Sequence, residues 1–449
     1  MPRMAKRSLD DAALSELTSF LSIPSISTDP HFADDVRAAA EWIAEFARKS
    51  GARAELVSRA GPPIVDAFFP AATGVESPST VVCYGHFDVQ PVAPVEAWDT
   101  DPFAATRRDG WLYARGVADD KGQLWALLRA AADLLADNAL PVNVRFCCDG
   151  EEESGGNAIV DYIDAIDEVP AACVIFDTPM LDDETHVFTT ATRGTLSMHL
   201  AVRTGSRDLH SGIYGGAALN ALHVLLRAIN RLFESEAVLT KALHAGTIAA
   251  TESERAVWAK LPSGEILLAA QGAAAADGRA GPEFYERTWE RPSLDVNGIE
   301  GGSAVDQKTI VVSEAQANLS MRLALGQTAE MLFPIVEREL RHDQPESAQL
   351  ELTLLAACDP GRVPIDAPAV QLAADAFERV LGRRPLMLRS GGSLPIMPLL
   401  ERRTIPAVVT GFAGPGSNMR APNERMRESD LADAVAAARE TFSSFASLD

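Results

Sequence analysis

Three short clusters carry most of the chemistry-bearing side chains: Gly85-His86-Phe87-Asp88, Gly116-Val117-Ala118-Asp119-Asp120-Lys121-Gly122 and Gly150-Glu151-Glu152-Glu153-Ser154-Gly155. Each follows an apolar, β-like run. Carboxylate oxygens joined by one imidazole are ligands for zinc or manganese, and open α/β sheets form their clefts at the carboxyl ends of strands. A fourth run, Ala171 to Phe176, ends in Asp177. Four strand ends are therefore expected to bring His86, Asp119, Glu153 and Asp177 to one spot. Asp88, two residues beyond His86 in an extended segment, faces the same side and is expected to accept the other ring N–H, which fixes the tautomer of a ligating imidazole. Asp120 reads as a supporting or helix-capping acid, because a helix follows it.

These segments, in their order, resemble the M20 metallopeptidase family, in the branch of carnosinase-like dipeptidases and ArgE/DapE-type deacylases. The stations are His86-Phe87-Asp88-Val89-Gln90-Pro91, Trp98 with Asp101-Pro102-Phe103, Leu112-Tyr113-Ala114-Arg115-Gly116, Asp119-Asp120-Lys121-Gly122, Gly150 to Gly155, Asp208-Leu209-His210-Ser211-Gly212, Gly391-Gly392-Ser393 and Ala421-Pro422-Asn423-Glu424. Any one is weak; eight in order are specific, and they span nearly the whole chain. The resemblance implies an α/β zinc-peptidase-like catalytic domain with a mostly parallel sheet and an inserted α+β lid or dimerisation domain. It also implies roles. His86, Asp119 and Asp177 would hold one divalent ion, with zinc first and manganese or cobalt as alternatives, and Asp119 with Glu153 would face a second. Glu152 would be the general base toward a metal-activated water, with Glu151 a solvated neighbour. The negative charges of Glu151 and Glu153 are expected to raise the proton affinity of Glu152. Asp88 and His210 would complete the catalytic set, His210 by reaching into a partner subunit's site in a homodimer. Arg322, Gly392, Ser393 and Asn297 would bind a substrate carboxylate, the glycines through free backbone N–H groups where a helix begins. Asn297 reads equally well as a turn residue before Gly298.

One station departs from the pattern. Where the family has a metal-ligating His three residues before the Asn-Glu pair, this chain has Arg420, and its last histidine is His342. A guanidinium is a permanent cation without a lone pair for a metal. Three readings follow. Arg420 neutralises a vacant second site and leaves one ion per chain; or the cleft serves another substrate or reaction, with Arg420 among the substrate-binding groups; or the turn-rich segment around Pro415, Gly416, Pro422 and Asn423 swings Arg420 into solvent. The first favours hydrolysis of an amide bond in a dipeptide or N-acyl amino acid. The second leaves open a non-peptidase reaction on an amino-acid-derived compound with one metal or none, and an inactive binding or regulatory relative also stays open.

The 449 residues exceed a single typical core. A formal net charge of -23 argues against nucleic acid or anionic membrane as partner. The basic N-terminus runs into acids without an apolar stretch, so neither a signal peptide nor a span is expected. Five cysteines without CxxC spacing suit buried thiols in a reducing cytoplasm. Periodicity predicts helices over 9–22, 35–50, 123–136 and 217–233 and from Glu428, and strands over 79–84, 142–148, 195–203, 317–325, 349–355 and 405–410. Residues 240–291 carry no assignable pattern, the Ala-rich patch 268–276 included. The expected division is a catalytic domain over 1–192 and 361–449 with a lid or dimerisation domain over 193–360.

Overall fold

In the computed structural model, which describes residues 7–59, 61–235 and 237–448, six strands make one mixed sheet. They are β1 (Arg53–Val57), β2 (Ile64–Phe69), β3 (Thr80–His86), β4 (Asn143–Asp149), β5 (Ala172–Phe176) and β6 (Ala407–Thr410), ordered β1-β2-β4-β3-β5-β6. The last four of that order run parallel, and β1 and β2 add antiparallel at one edge. Strand β3 is buried at every position, as a strand with helices on both faces must be. The helix Lys121–Ala136 packs on it through a nearly continuous apolar surface that includes Leu124, Leu127 and Leu128. Ala33–Lys49 covers β1 and β2. Strand β1 alternates exposed and half-buried residues and has no apolar run, which is why the sequence pattern does not reveal it. Cys83, Cys147, Cys148 and Cys173 are buried, and all five cysteines are unpaired.

The parallel register sets the site. His86 ends β3 opposite Asp149, the last residue of β4, the three glutamates follow β4, and Asp177 follows β5. All leave the sheet at the same carboxyl edge.

The chain forms two compact units. One is the chain up to Thr190 with Val363–Leu388 and the stretch from Leu399; the other is Ala191–Arg362 with Arg389–Pro398. In the second, Ser293–Glu300, Glu314–Leu323, Gly194–Arg203 and Gln349–Cys358 form an antiparallel sheet in that order. Strict alternation puts Leu196, Met198, Leu200 and Val202 against the helices Ala221–Asn230 and Ala329–Arg341. The first of those helices is shorter than the apolar spacing suggests, because Asn220 caps it by accepting the Leu222 N–H. The patternless stretch contains two short helices, Glu252–Trp258 and Gly264–Ala270, and a π-turn at Glu286–Glu290. They are tied by ion pairs, Arg255 to Glu286 and Glu290 and Arg287 to Asp277 and Glu283, not by an apolar stripe. Among the described residues no helix is long and apolar enough to cross a membrane.

Gly85 links the sheet to the site. A Cβ there would lie 2.9 Å from both Asp120 Oδ2 and Leu124 Cδ1, so a side chain would push away the helix that starts at Lys121. Gly85→Ala is expected to lower stability by about 1–3 kcal/mol, the usual range for overpacking a filled core, and to weaken metal uptake as well; chemical denaturation and a zinc titration check both.

Candidate metal centre

The carboxyl edge of the sheet gathers acids and one arginine around the His86 ring. His86 is fully buried. Its Nε2 lies 3.1 Å from Asp119 Oδ1 and 3.8 Å from Asp177 Oδ1, and its Nδ1 bonds the backbone carbonyl of Asp88 at 3.0 Å. Asp88 Oδ1 also lies 3.3 Å from that nitrogen, so the carbonyl and the carboxylate of Asp88 both face His86 Nδ1, while Asp88 Oδ2 accepts from Ser27 Oγ and the Glu153 N–H at 2.6 and 3.0 Å. Asp88 thereby orders the loop that carries the glutamates as well as the imidazole.

Asp120 does not cap the helix it precedes. Its Oδ2 accepts the backbone N–H of His86 at 3.2 Å, and its Oδ1 is buried without a hydrogen-bond partner. Among the described residues, His86, Asp120 and Asp177 offer donor atoms that all lie within 4.8 Å of one another. Asp120 stands nearer this centre than its sequence reading suggests, alongside Asp119.

Arg420 is half exposed, and its guanidinium turns toward the acids of the site. Its Nε donates to Asp119 Oδ2 at 2.9 Å, and its Nη2 lies 3.0 Å from Glu153 Oε2 and 3.7 Å from Glu152 Oε2. The residue sits at φ +62° between Asn418 and Asn423, both also left-handed, a conformation that a long side chain rarely adopts. The ion pairs help hold it there.

The glutamates sort as the turn allows. Glu153 is held by Gln90 Nε2 at 2.7 Å. Glu151 is no solvated neighbour: it turns away and accepts the Ala158 N–H at the start of the helix Ala158–Asp164. Glu152 Oε2 is buried and has no hydrogen-bond partner, with Arg420 Nη2 3.7 Å away. Burial raises the proton affinity of Glu152, and Asp177 and Asp119 raise it further, so the neighbours responsible are not Glu151 and Glu153. Burial and Asp119 push Glu153 up to about 7, and Asp120 and Asp177 are raised by burial too. Burial would lower the imidazole's pKa, but Asp119, Asp177 and Asp88 raise it well above its usual value.

Two further residues matter that sequence reasoning left without roles. Glu424, fully buried, accepts the backbone N–H groups of Ala118 and Asp119 at 2.9 and 3.2 Å and pairs with Arg115 at 2.5 Å. It fixes the turn that aims Asp119. Lys121 is buried on the carbonyls of Phe20 and Ile23, and burial brings its pKa down to about 7. Both lie in quoted motifs, which was their only signal.

In the other unit, Arg322 Nη1 donates to Ser393 Oγ at 2.8 Å. The Gly392 N–H is not free: it donates to Ser390 Oγ at 3.1 Å, and the following helix starts only at Ile396. Asn297 sits in a bulge within Ser293–Glu300, exposed, rather than at a turn. His210 is exposed, and its Nδ1 accepts the Gly212 N–H at 3.0 Å, which leaves Nε2 as the protonated nitrogen.

Residues 82–444 match Peptidase family M20/M25/M40. The chain belongs to that family. It is 29% identical to a cysteinylglycine-S-conjugate dipeptidase of Corynebacterium striatum, over 93% of this chain and 91% of that protein. It is 28% identical to a Cys-Gly metallodipeptidase of Saccharomyces cerevisiae, over 87% and 86%. An M20 family metallo-carboxypeptidase from Sulfolobus solfataricus superposes with a TM-score of 0.86 at 27% identity, covering 98% of this chain and all of that one. The protein is a metallohydrolase of the M20 family.

The residues fit the metal dependence of M20 dipeptidases. Asp120 Oδ1, Glu152 Oε2 and Glu153 Oε1 are buried carboxylate oxygens without hydrogen-bond partners, a cost that a divalent cation would offset. Oxygen donors around one imidazole suit an ion of the zinc or manganese type. The ion would displace the proton that the imidazole otherwise carries, so binding releases protons.

Glu424→Gln is expected to leave the buried Arg115 without its counter-charge and to cost about 3–5 kcal/mol, the usual penalty for breaking a buried pair. Denaturant unfolding measures this, and zinc affinity should fall with it because the Asp119 turn loses its anchor.

Proposed function

We propose that the protein hydrolyses an amide bond in a dipeptide or N-acyl amino acid, with Glu152 as general base. The observation that carries this is Glu152 Oε2, buried, without a hydrogen-bond partner and of raised proton affinity, beside the donors His86, Asp119 and Asp177. Those three would hold the ion, zinc foremost and manganese or cobalt as alternatives, with the Asp120 carboxylate against the His86 backbone bracing them. A cation bound there polarises the amide carbonyl and lowers the pKa of water. Glu152 takes a proton from the attacking water and passes it to the leaving nitrogen. The relatives named for Cys-Gly and cysteinylglycine conjugates support a small substrate with a free carboxylate.

Arg420 stands where the resemblance expects a histidine. Its guanidinium balances Asp119 and Glu153, so we read the second-metal position as filled by a fixed cation and the enzyme as a one-ion hydrolase. Arg322 and Ser393 receive the substrate carboxylate, since a guanidinium fork beside a hydroxyl matches it; Gly392 and Asn297 contribute less. His210 steadies the oxyanion at the site of a partner subunit in a cytoplasmic homodimer.

Glu152→Gln should keep metal and fold while lowering turnover by roughly 10²–10⁴, the worth of a general base. Mixed with His210→Ala protein under subunit exchange, it should regain part of the activity, because some mixed dimers keep one intact site. Full activity in the single variant removes Glu152 from the mechanism, and no recovery despite proven exchange removes His210 from a shared site.

A further inference from the structure

Arg193, which no motif singled out, is buried, at 9% exposure, and carries no ion pair among the described residues. Its donors end on neutral groups. Nε donates to the Gly391 carbonyl at 3.0 Å; Nη1 reaches Ser293 Oγ at 3.1 Å and the carbonyls of Arg287 and Arg291 at 3.4 Å. Its backbone N–H takes the Gly392 carbonyl at 3.0 Å. One residue therefore draws both glycine carbonyls to itself, and the next residue, Ser393, is left facing Arg322. The packing is close: a Cβ on Gly391 would lie 2.8 Å from the Thr288 carbonyl and 3.4 Å from Arg193 Nη2.

A buried guanidinium is costly, and carbonyls offset that cost less well than a carboxylate does. Burial, then the charge of Arg322, bring the Arg193 pKa down to about 10, with Asp295 opposing without pairing. Arg322 also has no carboxylate partner among the described residues. Arg193 and Arg322 are thus neighbouring cations, neither paired with a carboxylate among the described residues, beside the hydroxyls of Ser293 and Ser393. A purely structural clamp on a loop could be built from a neutral side chain; two uncompensated cations make a place for an anion.

We propose that Arg193 is a positioning residue for the substrate carboxylate: it sets the Gly391–Gly392 loop so that Ser393 and Arg322 converge, and its unneutralised charge adds to their attraction for the anion. This rests on the reading of Arg322 as the carboxylate-binding residue. The role is one of binding, so it belongs in KM and not in kcat.

The test compares N-acetyl-L-leucine with N-acetyl-L-leucinamide, which lacks the carboxylate. Affinity is read by calorimetry on zinc-loaded protein, and KM and kcat on the acid. Arg193→Met should weaken the acid by about tenfold or more, as expected for removing one cation a few Å from an anion, with kcat nearly constant and the carboxamide affinity unchanged. Arg193→Lys, which keeps the charge but not the fork, should fall between and guards against a misfolded Met variant. Equal losses for acid and carboxamide in either variant overturn the proposal and make Arg193 a structural clamp. Arg322→Met serves as reference. If it does not abolish preference for the acid, the carboxylate subsite itself is wrong; if it does while both Arg193 variants keep that preference, only the role of Arg193 fails.

Discussion

Burying carboxylates around a single imidazole is the constraint from which the rest of the catalytic unit follows. Asp88, Asp119, Asp120, Glu153 and Asp177 surround His86 with little or no access to water, and like charges at such spacing cannot all stay ionised unaided. The fold supplies one permanent cation at the centre, Arg420, on Asp119 and Glu153. What remains is a demand for positive charge beside His86 and Asp177. A divalent ion would meet that demand and leave the imidazole free to ligate. Metal dependence is thus built into the charge balance of this M20 protein rather than into any one ligand.

Holding such a cluster requires a scaffold that does not relax. The parallel strands deliver His86, the glutamates and Asp177 to one edge, and three polar supports lock the loops beyond them. Asp88 joins the imidazole loop to the glutamate turn. Glu424 with Arg115 fixes the turn before Asp119. Gln90 holds Glu153 against Arg420. Each support is hydrogen-bonded, and Asp88, Glu424 and Arg115 are buried, so losing one of their partners leaves an unsatisfied group in low dielectric, at a cost that reaches the metal donors.

Much of this was legible because the physics is periodic or local. Strand β3, the helix after Asp120 and the alternating strand Gly194–Arg203 stand out by apolar spacing; the site residues stand out because acids and a histidine end apolar runs. The membership of Peptidase family M20/M25/M40 agrees with the motif order. Other features depend on partners far away in sequence. That the Asp88 carbonyl joins its carboxylate at His86, with the other carboxylate oxygen held by Ser27, 61 residues away, is announced by no local pattern. That Glu151 caps a helix follows from the turn it ends. The helices of residues 252–270 rest on long-range ion pairs that leave no periodic trace, and nothing near Arg193 in the sequence points to Gly391.

The central claim is that Arg420 replaces a second metal ion with a fixed charge, and the direct measurement is metal content per chain after saturation with zinc and removal of loosely bound ions, for the native protein and for Arg420→His. The native protein should retain about one zinc per chain, and the variant, in which imidazole joins Asp119 and Glu153, should retain a second. Two tightly held ions in the native protein would contradict the claim, since they require another ligand where the guanidinium now sits.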